Sequence, residues 1–191
     1  MVQGRPGWET DTTFSAFQRI WCDVTDRERR GFSEFVEARS TALQRAAYLM
    51  VGDVSLAQDL VQESLTKTYV AWPRLREPAN AEAYTRRVIT TTALTWFRRR
   101  SWSSERPSRS VPERPVAAHD DAVATGAALW AALHELPPRQ RVALVLRFYD
   151  DLTETQTAEA MGTTVGTVKS QVAAALGTLR ARLGDDLQEL L

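Results

Sequence analysis

Residues 136–183 read LPPRQRVALVLRFYDDLTETQTAEAMGTTVGTVKSQVAAALGTLRARL, and this stretch decides the fold of the C-terminal half of the chain. Its apolar residues recur at helical spacing, and three helices are predicted. The first can open at Pro137 and Pro138, because a missing N–H is harmless in a first turn. Its apolar side is formed by Val142, Val145, Leu146 and Tyr149.

Local signals also delimit the second and third helices. The second begins at a capping box, Thr153-x-x-Gln156, and ends at Gly162, a residue that accepts the positive φ of a tight turn. The third has Thr164 as its N-cap. A short helix, a glycine-containing turn and a longer helix predict a helix-turn-helix. The apolar stripe of the third helix is Val165, Val168, Val172, Leu176, Leu179 and Leu183.

The opposite face of the third helix carries small polar side chains rather than the mixed charges of an ordinary solvated helix. Such a face suits the major groove of DNA. Glutamine can bond adenine in bidentate fashion, hydroxyls can serve bases or phosphates, and lysine can contact a phosphate. The alternative is a plain amphipathic helix in a small bundle. The candidate DNA-reading residues are Thr164, Thr167, Lys169, Ser170 and Gln171.

The N-terminal half contains FSEFVEARSTALQRAAYLMVGDVSLAQDLVQESLTKTYVAW, residues 32–72, which predicts two helices separated by Gly52 and Asp53. A capping box, Ser55-x-x-Gln58, would start the second helix. The predicted core stripe of that helix is Ala57, Val61, Leu65, Tyr69 and Trp72.

A polar and acidic face lies opposite this stripe. Acidic groups repel DNA, so this face is expected to meet water or a basic protein partner. Its members are Gln58, Asp59, Gln62 and Glu63.

A third helix, residues 80–102, combines arginines with aromatic side chains. Arginine neutralises phosphates and aromatic rings stack on exposed bases, so the pattern indicates a strand-separating surface. The alternative is that the aromatics are core and the arginines are merely solvated. The residues concerned are Tyr84, Arg86, Arg87, Trp96, Phe97, Arg98, Arg99 and Arg100.

The distribution of charge and proline along the chain indicates how it is organised outside these helices. The net charge of the 191-residue chain is zero, so any basic surface must be local. Residues 101–122 hold three prolines with serine and charge, which predicts a flexible linker. Its 22 residues could reach about 75 Å when extended, close to the roughly 70 Å rise of two turns of duplex DNA. Residues 1–31 form an N-terminal extension, in which a short helix around Phe14, Phe17 and Trp21 is one alternative, and residues 185–191 form an acidic tail.

Several function classes are not expected. Cys22 is the single cysteine, which excludes an internal disulfide and suits a reducing cytosol. No run of 18 apolar residues exists, so we expect a cytoplasmic protein without direct membrane insertion. The sequence shows no glycine-rich phosphate loop, metal-ligand cluster or nucleophile paired with a base, and we expect neither an enzyme nor a cofactor or metal site.

The two halves together resemble a known family. The stretch from Leu136 to Leu176 is similar to region 4 of extracytoplasmic function (ECF) sigma factors of the SigE-like actinobacterial group, and GDVSLAQDLVQESLTKTYVAW is similar to their region 2.2. The resemblance implies an all-α fold of two small domains, a region 2 bundle at 32–100 and a region 4 helix-turn-helix at 123–184. It implies an alternative sigma factor that directs core RNA polymerase to promoters.

The resemblance also assigns roles and partners. Gln58, Asp59, Gln62 and Glu63 would dock on the clamp helices of the polymerase β′ subunit, and region 4 would touch the β flap and read the −35 promoter element. The third helix, with Asn80 from the loop before it, would capture and melt the −10 element. An anti-sigma protein is a further partner that the family allows.

Two residues depart from the family pattern, Ala174 where an arginine is frequent and Thr91 where an asparagine is common. A dimeric helix-turn-helix regulator that never replaces a sigma subunit is the alternative function. It leaves the acidic face and the arginine-rich helix unexplained.

Overall fold

The computed structural model describes residues 11–75, 78–102 and 120–184 of the chain. Every regular element within these ranges is helical, which confirms the predicted all-α class. We call α1–α3 the N-terminal domain and α4–α7 the C-terminal domain. The helices are α1 (Asp11–Val51), α2 (Val54–Ala71), α3 (Pro78–Trp102), α4 (Asp120–Glu135), α5 (Pro138–Leu144), α6 (Glu154–Met161) and α7 (Val165–Leu183), with a 3₁₀ turn at Trp72–Arg74 and a π-helical segment at Val145–Tyr149.

Helix α1 is longer than the sequence pattern predicts. It runs without a break through residue 31, so the short separate helix considered for the N-terminal extension is instead the first part of α1. The charged segment at 26–30 of this helix is mostly exposed. The side chains of Phe14, Phe17 and Trp21 lie outside the described part of the structure.

The chain turns sharply between α1 and α2, at the predicted position. Gly52 adopts φ +78°, a conformation that glycine takes without steric cost. The cap of α2 differs from the prediction, because Asp53 and not Ser55 is the N-cap. The Asp53 carboxylate accepts a hydrogen bond of 2.8 Å from the Leu56 backbone N–H. Aspartate is at least as good a cap as serine, and here it directly follows the turn.

Helix α2 packs between α1 and α3. Ala57, Val61 and Leu65 are buried, as the apolar period predicts, but Tyr69 is 47% exposed and lies at the edge of Phe32. The buried stripe is completed instead by Leu60, Ser64 and Thr68.

A buried hydroxyl pair joins α2 to α3. Thr68 Oγ1 lies 2.8 Å from Thr85 Oγ1, and each hydroxyl also lies within 2.8 Å of a carbonyl of its own helix. The two hydroxyls have only two hydrogens for these three close oxygen contacts, and they link α2 to α3 inside the core.

The C-terminal domain follows its local signals closely. The Thr153 hydroxyl accepts from the Gln156 N–H and the Gln156 side chain accepts from the Thr153 N–H, so the predicted capping box is confirmed. Gly162 ends α6 at φ +61°, and Thr164 caps α7. Of the predicted stripe, Val168 and Leu179 are buried together with Ala175. The remaining stripe residues, Val165, Val172, Leu176 and Leu183, are partly buried.

The two domains pack against each other and share one hydrophobic core. Helix α3 contacts α5 and α6, and α1 contacts α5 and the π-helical segment. Tyr48 of α1 stacks on Trp130 of α4, with ring centroids 4.5 Å apart and planes inclined by 19°. Helices reach into the predicted linker from both sides, to Trp102 and from Asp120, while residues 103–119 and the acidic tail lie outside the described residues. None of the described helices is long and apolar enough to cross a membrane.

Candidate nucleic-acid interface

The polar face of α2 lies open on the N-terminal domain. Gln58, Asp59, Gln62 and Glu63 are all exposed, on two successive turns of the helix. Glu63 is paired with Lys67 at 2.6 Å, whereas Asp59 makes no ion pair with any described residue. The Asp59 carboxylate, which lies between two amides, can therefore bind a basic partner without losing an existing ion pair.

Apolar side chains lie at both ends of this face. Val54 is 55% exposed and Val70 is 76% exposed. The surface of α2 therefore presents acidic, amide and apolar groups side by side.

Helix α3 divides the predicted −10 residues between two environments. Asn80, Arg87, Arg98 and Arg99 are exposed, whereas Tyr84 and Trp96 are half-buried. Asn80 lies in the first turn of α3 and not in the preceding loop as predicted. The side chain of Arg100 lies outside the described residues.

Arg86 points towards the C-terminal domain. Its guanidinium is 2.8 Å from Glu82 on α3 and 3.3 Å from Asp150, which follows the π-helical segment. Arg39 of α1 also reaches Glu82, at 3.2 Å. The Arg86 side chain is only 19% exposed, so this predicted DNA contact is occupied by carboxylates in the structure.

Asp150 is held in a desolvated position. Its side chain is 5% exposed, and burial raises the pKa of its carboxyl, the Arg86 guanidinium opposes this, and the Glu82 charge adds to the rise. Arg86 Nε and Asp150 Oδ2 are in ion-pair contact, but neither has a hydrogen-bond partner within the described residues. The free-energy cost of removing both charged groups from water is therefore only partly offset by their mutual attraction.

A second polar cluster lies where α4, α5 and α1 meet. Arg141 donates to His134 Nδ1 at 2.6 Å and to the His134 carbonyl at 3.2 Å, and its guanidinium lies 5.2 Å from the centre of the Phe97 ring on α3. Since Nδ1 accepts, the imidazole is neutral with its proton on Nε2. Burial and then the Arg141 charge lower the pKa of His134 to about 4, and burial lowers the pKa of Arg141 to about 10.

An open cleft of about 360 Å³ is lined by residues of α3 and of the C-terminal domain. Thr91, which departs from the pattern of the family that the sequence resembles, lines it and donates its hydroxyl hydrogen to a carbonyl of its own helix. Arg98 and Arg139 also line it, one from each domain.

The predicted DNA-reading face of α7 is largely accessible. Thr164, Lys169, Ser170 and Ala174 are exposed, and Thr167 and Gln171 are half-buried. The Thr164 hydroxyl accepts from the Thr167 N–H, so it caps the helix as well as facing outward. Lys169 pairs with Glu154 of α6 at 3.3 Å, a mostly exposed contact that is worth little and can be exchanged for a phosphate.

Sequence reasoning missed Asp150 and Trp130 as partners of the N-terminal domain. The Glu82 and Arg86 pair could have been found, because oppositely charged residues four apart on a helix are neighbours. No local signal in the sequence joins Asp150 to Arg86. Within the described residues, no three His, Cys, Asp or Glu side chains are grouped to hold a metal ion.

Two family models match the two halves of the chain. The family model of sigma-70 region 2 matches residues 35–103, and that of sigma-70 region 4 matches residues 126–179. The RNA polymerase sigma-E factor of Streptomyces coelicolor is 39% identical over 152 residues, which cover 80% of this chain and 85% of that protein. The sigma factor SigV of Bacillus subtilis is 28% identical and is covered to 82%.

Solved structures show the same fold. The sigma factor RpoE of Bartonella quintana, crystallised with the anti-sigma factor NepR, aligns with 82% of this chain and 99% of its own, with a TM-score of 0.69 and 21% identity. CnrH in complex with the cytosolic domain of CnrY aligns with 81% of this chain and 88% of its own, with a TM-score of 0.58 and 19% identity.

Proposed function

The chain belongs to the extracytoplasmic function sigma factors of the sigma-70 family, and we propose from this premise which of its surfaces carries each step of promoter recognition. It is an alternative sigma factor that directs promoter-specific transcription initiation. Sigma factors are initiation factors and not catalysts. We therefore assign nucleotide addition to the polymerase and place this chain with it in the cytoplasm.

The proposed polymerase-docking surface is the exposed face of α2. Four polar side chains there point outward, and Asp59 has no partner among the described residues. An acidic surface cannot serve DNA, so a basic protein surface such as the β′ clamp helices is its fitting partner. This open acidic face is the observation that carries the proposal. The β flap is the partner proposed for region 4.

Promoter contacts are proposed for two other surfaces. The exposed arginines of α3 would neutralise the −10 phosphates while Tyr84 and Trp96 offer aromatic faces to unpaired bases. Arg86 joins them only when it leaves Asp150. The N-terminal part of α7, with Ser170 and Gln171, would read the −35 element in the major groove.

An anti-sigma protein is a further proposed partner, because the RpoE relative was crystallised with one. The alternative of a dimeric helix-turn-helix regulator is not favoured, since it assigns no role to residues 35–103, which match sigma region 2.

Charge reversal of the α2 face tests the docking surface. The double variant Asp59→Arg/Glu63→Arg is expected to abolish co-elution with core RNA polymerase while its helical circular dichroism stays unchanged. Glu34→Arg/Glu37→Arg changes the charge equally at two exposed positions of α1 and serves as the control. Retained binding by the α2 variant, or equal loss in both variants, would rule out α2 as the docking face.

A further inference from the structure

We propose that the buried hydroxyl pair of Thr68 and Thr85 is a positioning element, which carries the position of the polymerase-docked helix α2 to the DNA-opening helix α3. The proposal rests on the function proposed above and deepens it, because it names the contact through which the docking surface and the −10 surface act together. Both threonines are completely buried, so neither would touch the polymerase or the DNA.

The pair lies between the two surfaces that it would connect. Helix α2 packs on α3, and the two hydroxyls meet inside this contact. On α2, Asp59 of the docking face precedes Thr68 by nine residues, which places the two about 180° apart around the helix at roughly 100° per residue. On α3, the exposed Arg87 follows Thr85 by two residues and lies about 160° from it around the helix. The order from polymerase to DNA is therefore α2, the hydroxyl pair and α3.

The contact between the hydroxyls is directional. Thr68 Oγ1 lies 2.8 Å from Thr85 Oγ1, a distance at which one hydroxyl donates to the other. Each oxygen also lies within 2.8 Å of a carbonyl of its own helix, that of Ser64 for Thr68 and that of Ala81 for Thr85. Carbonyls inside a helix already accept a backbone N–H, so the hydroxyl that donates across the interface leaves no carbonyl unsatisfied.

A hydrogen bond across the interface restricts a motion that apolar packing tolerates. The hydrophobic effect is non-directional, so it opposes small shifts of one helix along the other only weakly. A hydrogen bond weakens steeply when its geometry is lost, and two enclosed hydroxyls cannot exchange each other for water. One residue of helical rise is about 1.5 Å, and a misplacement of about 1 Å at a functional group can lower a rate about a hundredfold.

The role of the pair follows from this geometry. A polymerase that holds α2 holds the exposed arginines of α3 only as firmly as the two helices hold each other. With the hydrogen bond in place, α3 keeps one position relative to the docked α2. Without it, α2 still presents the same docking face, but the arginines of α3 are no longer held in register with the −10 strand.

Two substitutions at Thr68 separate the hydroxyl from the methyl group. Thr68→Val keeps the shape of the side chain and removes the hydroxyl, whereas Thr68→Ser keeps the hydroxyl and removes the methyl group. In Thr68→Val the Thr85 hydroxyl still donates to the Ala81 carbonyl, so no buried donor loses its last partner. Thr90→Val is the control, because Thr90 is completely buried on α3 and its hydroxyl has no hydrogen-bond partner within the described residues.

Two steps are measured separately with each full-length variant. Binding to core RNA polymerase is measured as a dissociation constant by fluorescence titration. Strand opening is measured with the reconstituted holoenzyme, as the rate of fluorescence increase of a 2-aminopurine in the −10 segment of the promoter. The promoter is one that the wild-type holoenzyme selects from a random-sequence library.

The hydroxyl and not the methyl group should control the opening step. Thr68→Val should bind core polymerase within about twofold of the wild type and open the promoter about tenfold more slowly. Thr68→Ser and Thr90→Val should both open it within about twofold of the wild-type rate. Thr85→Val should reproduce Thr68→Val, and the double valine variant should be no slower than either single one, because the same hydrogen bond is lost in all three.

Opening at the wild-type rate by Thr68→Val would overturn the proposal. An equal loss in Thr68→Ser or in Thr90→Val would also overturn it, since buried volume and not the hydroxyl pair would then set the rate. A parallel loss of core binding and opening in Thr68→Val would reduce the pair to a general packing contact. Failure of the wild-type chain both to bind core polymerase and to open any promoter would instead refute the function proposed above.

Discussion

Acidification should lower the unfolding free energy through protonation of His134. This effect can be measured separately from the protonation of carboxyl groups. In the folded chain the imidazole accepts a hydrogen bond from Arg141 and lies 4.0 Å, centroid to centroid, from the Trp130 ring. Protonation would remove the acceptor and place a second positive charge beside the guanidinium. The fold therefore holds the neutral form, and the pKa of His134 falls from 6.5 to about 4.

The sign and size of the effect follow from this difference. Above pH 6.5 the imidazole is neutral in both states and contributes no pH dependence. Between pH 6.5 and pH 4 the unfolded chain binds a proton that the folded chain does not, so stability falls as pH falls. The full shift corresponds to roughly 3 kcal/mol, and solvent screening of this half-buried group reduces the expected loss between about pH 7 and pH 5 to about 1 kcal/mol.

The assay is urea denaturation at these two pH values, for the wild type and for His134→Asn. The asparagine oxygen can accept the Arg141 hydrogen bond but does not titrate. Carboxyl groups, including Asp150 with its raised pKa, titrate alike in both proteins and cancel in the difference. The wild type should lose about 1 kcal/mol more than the variant on acidification.

An identical loss in the two proteins would refute the reasoning. It would mean that His134 is protonated with similar ease in the folded and unfolded chains. A larger loss in His134→Asn would contradict it even more directly, since the acid sensitivity would then lie elsewhere.

Three further substitutions, one of them with a matched control, test other parts of the structure. Gln171→Ala should weaken transcription through the −35 element by about 1 to 3 kcal/mol, and equal loss on promoters with and without that element would contradict a base contact. Thr153→Ala removes the α6 capping box and should lower the unfolding free energy by about 1 kcal/mol, measured by urea denaturation. Gly52→Ala combines a positive φ with a Cβ only 2.6 Å from the His134 ring, so a loss of about 1 to 3 kcal/mol is expected. Gly166→Ala, where the added Cβ meets only the Thr164 side chain at 3.9 Å, is the control and should lose no stability in the same urea denaturation.

Local structure was largely predictable from the sequence. The capping box at Thr153 and the end of α6 at Gly162 each depend on residues within about one helical turn. The local sequence is therefore enough to predict both ends of α6. The error at Ser55 arose where two adequate caps lie two residues apart. Asp53 prevails because the sharp turn at Gly52 places it first, and this depends on the path of the preceding helix.

The arrangement of the domains was not predictable in this way. Arg86 and Asp150 belong to different domains, and a proline-rich segment indicates a linker without indicating where the next domain packs. The helical period also placed Tyr69 in the core, although Phe32 covers only part of it. The residues proposed for polymerase docking and promoter reading were chosen by residue type and resemblance, and their roles stay predictions that the binding and transcription assays above decide.

Lysine is nearly absent from this chain, so the outward faces of α2 and α7 each carry a single side-chain amine. The chain has two lysines, Lys67 on α2 beside Glu63 and Lys169 on α7 beside Ser170, and their side chains are 49% and 62% exposed. An amine-selective reagent therefore modifies one position on each surface, besides the amino terminus. After digestion, shielding of the first lysine by a protein and of the second by DNA would appear as the loss of the label from two different peptides. Arginine at either position would have left that surface without such a reporter.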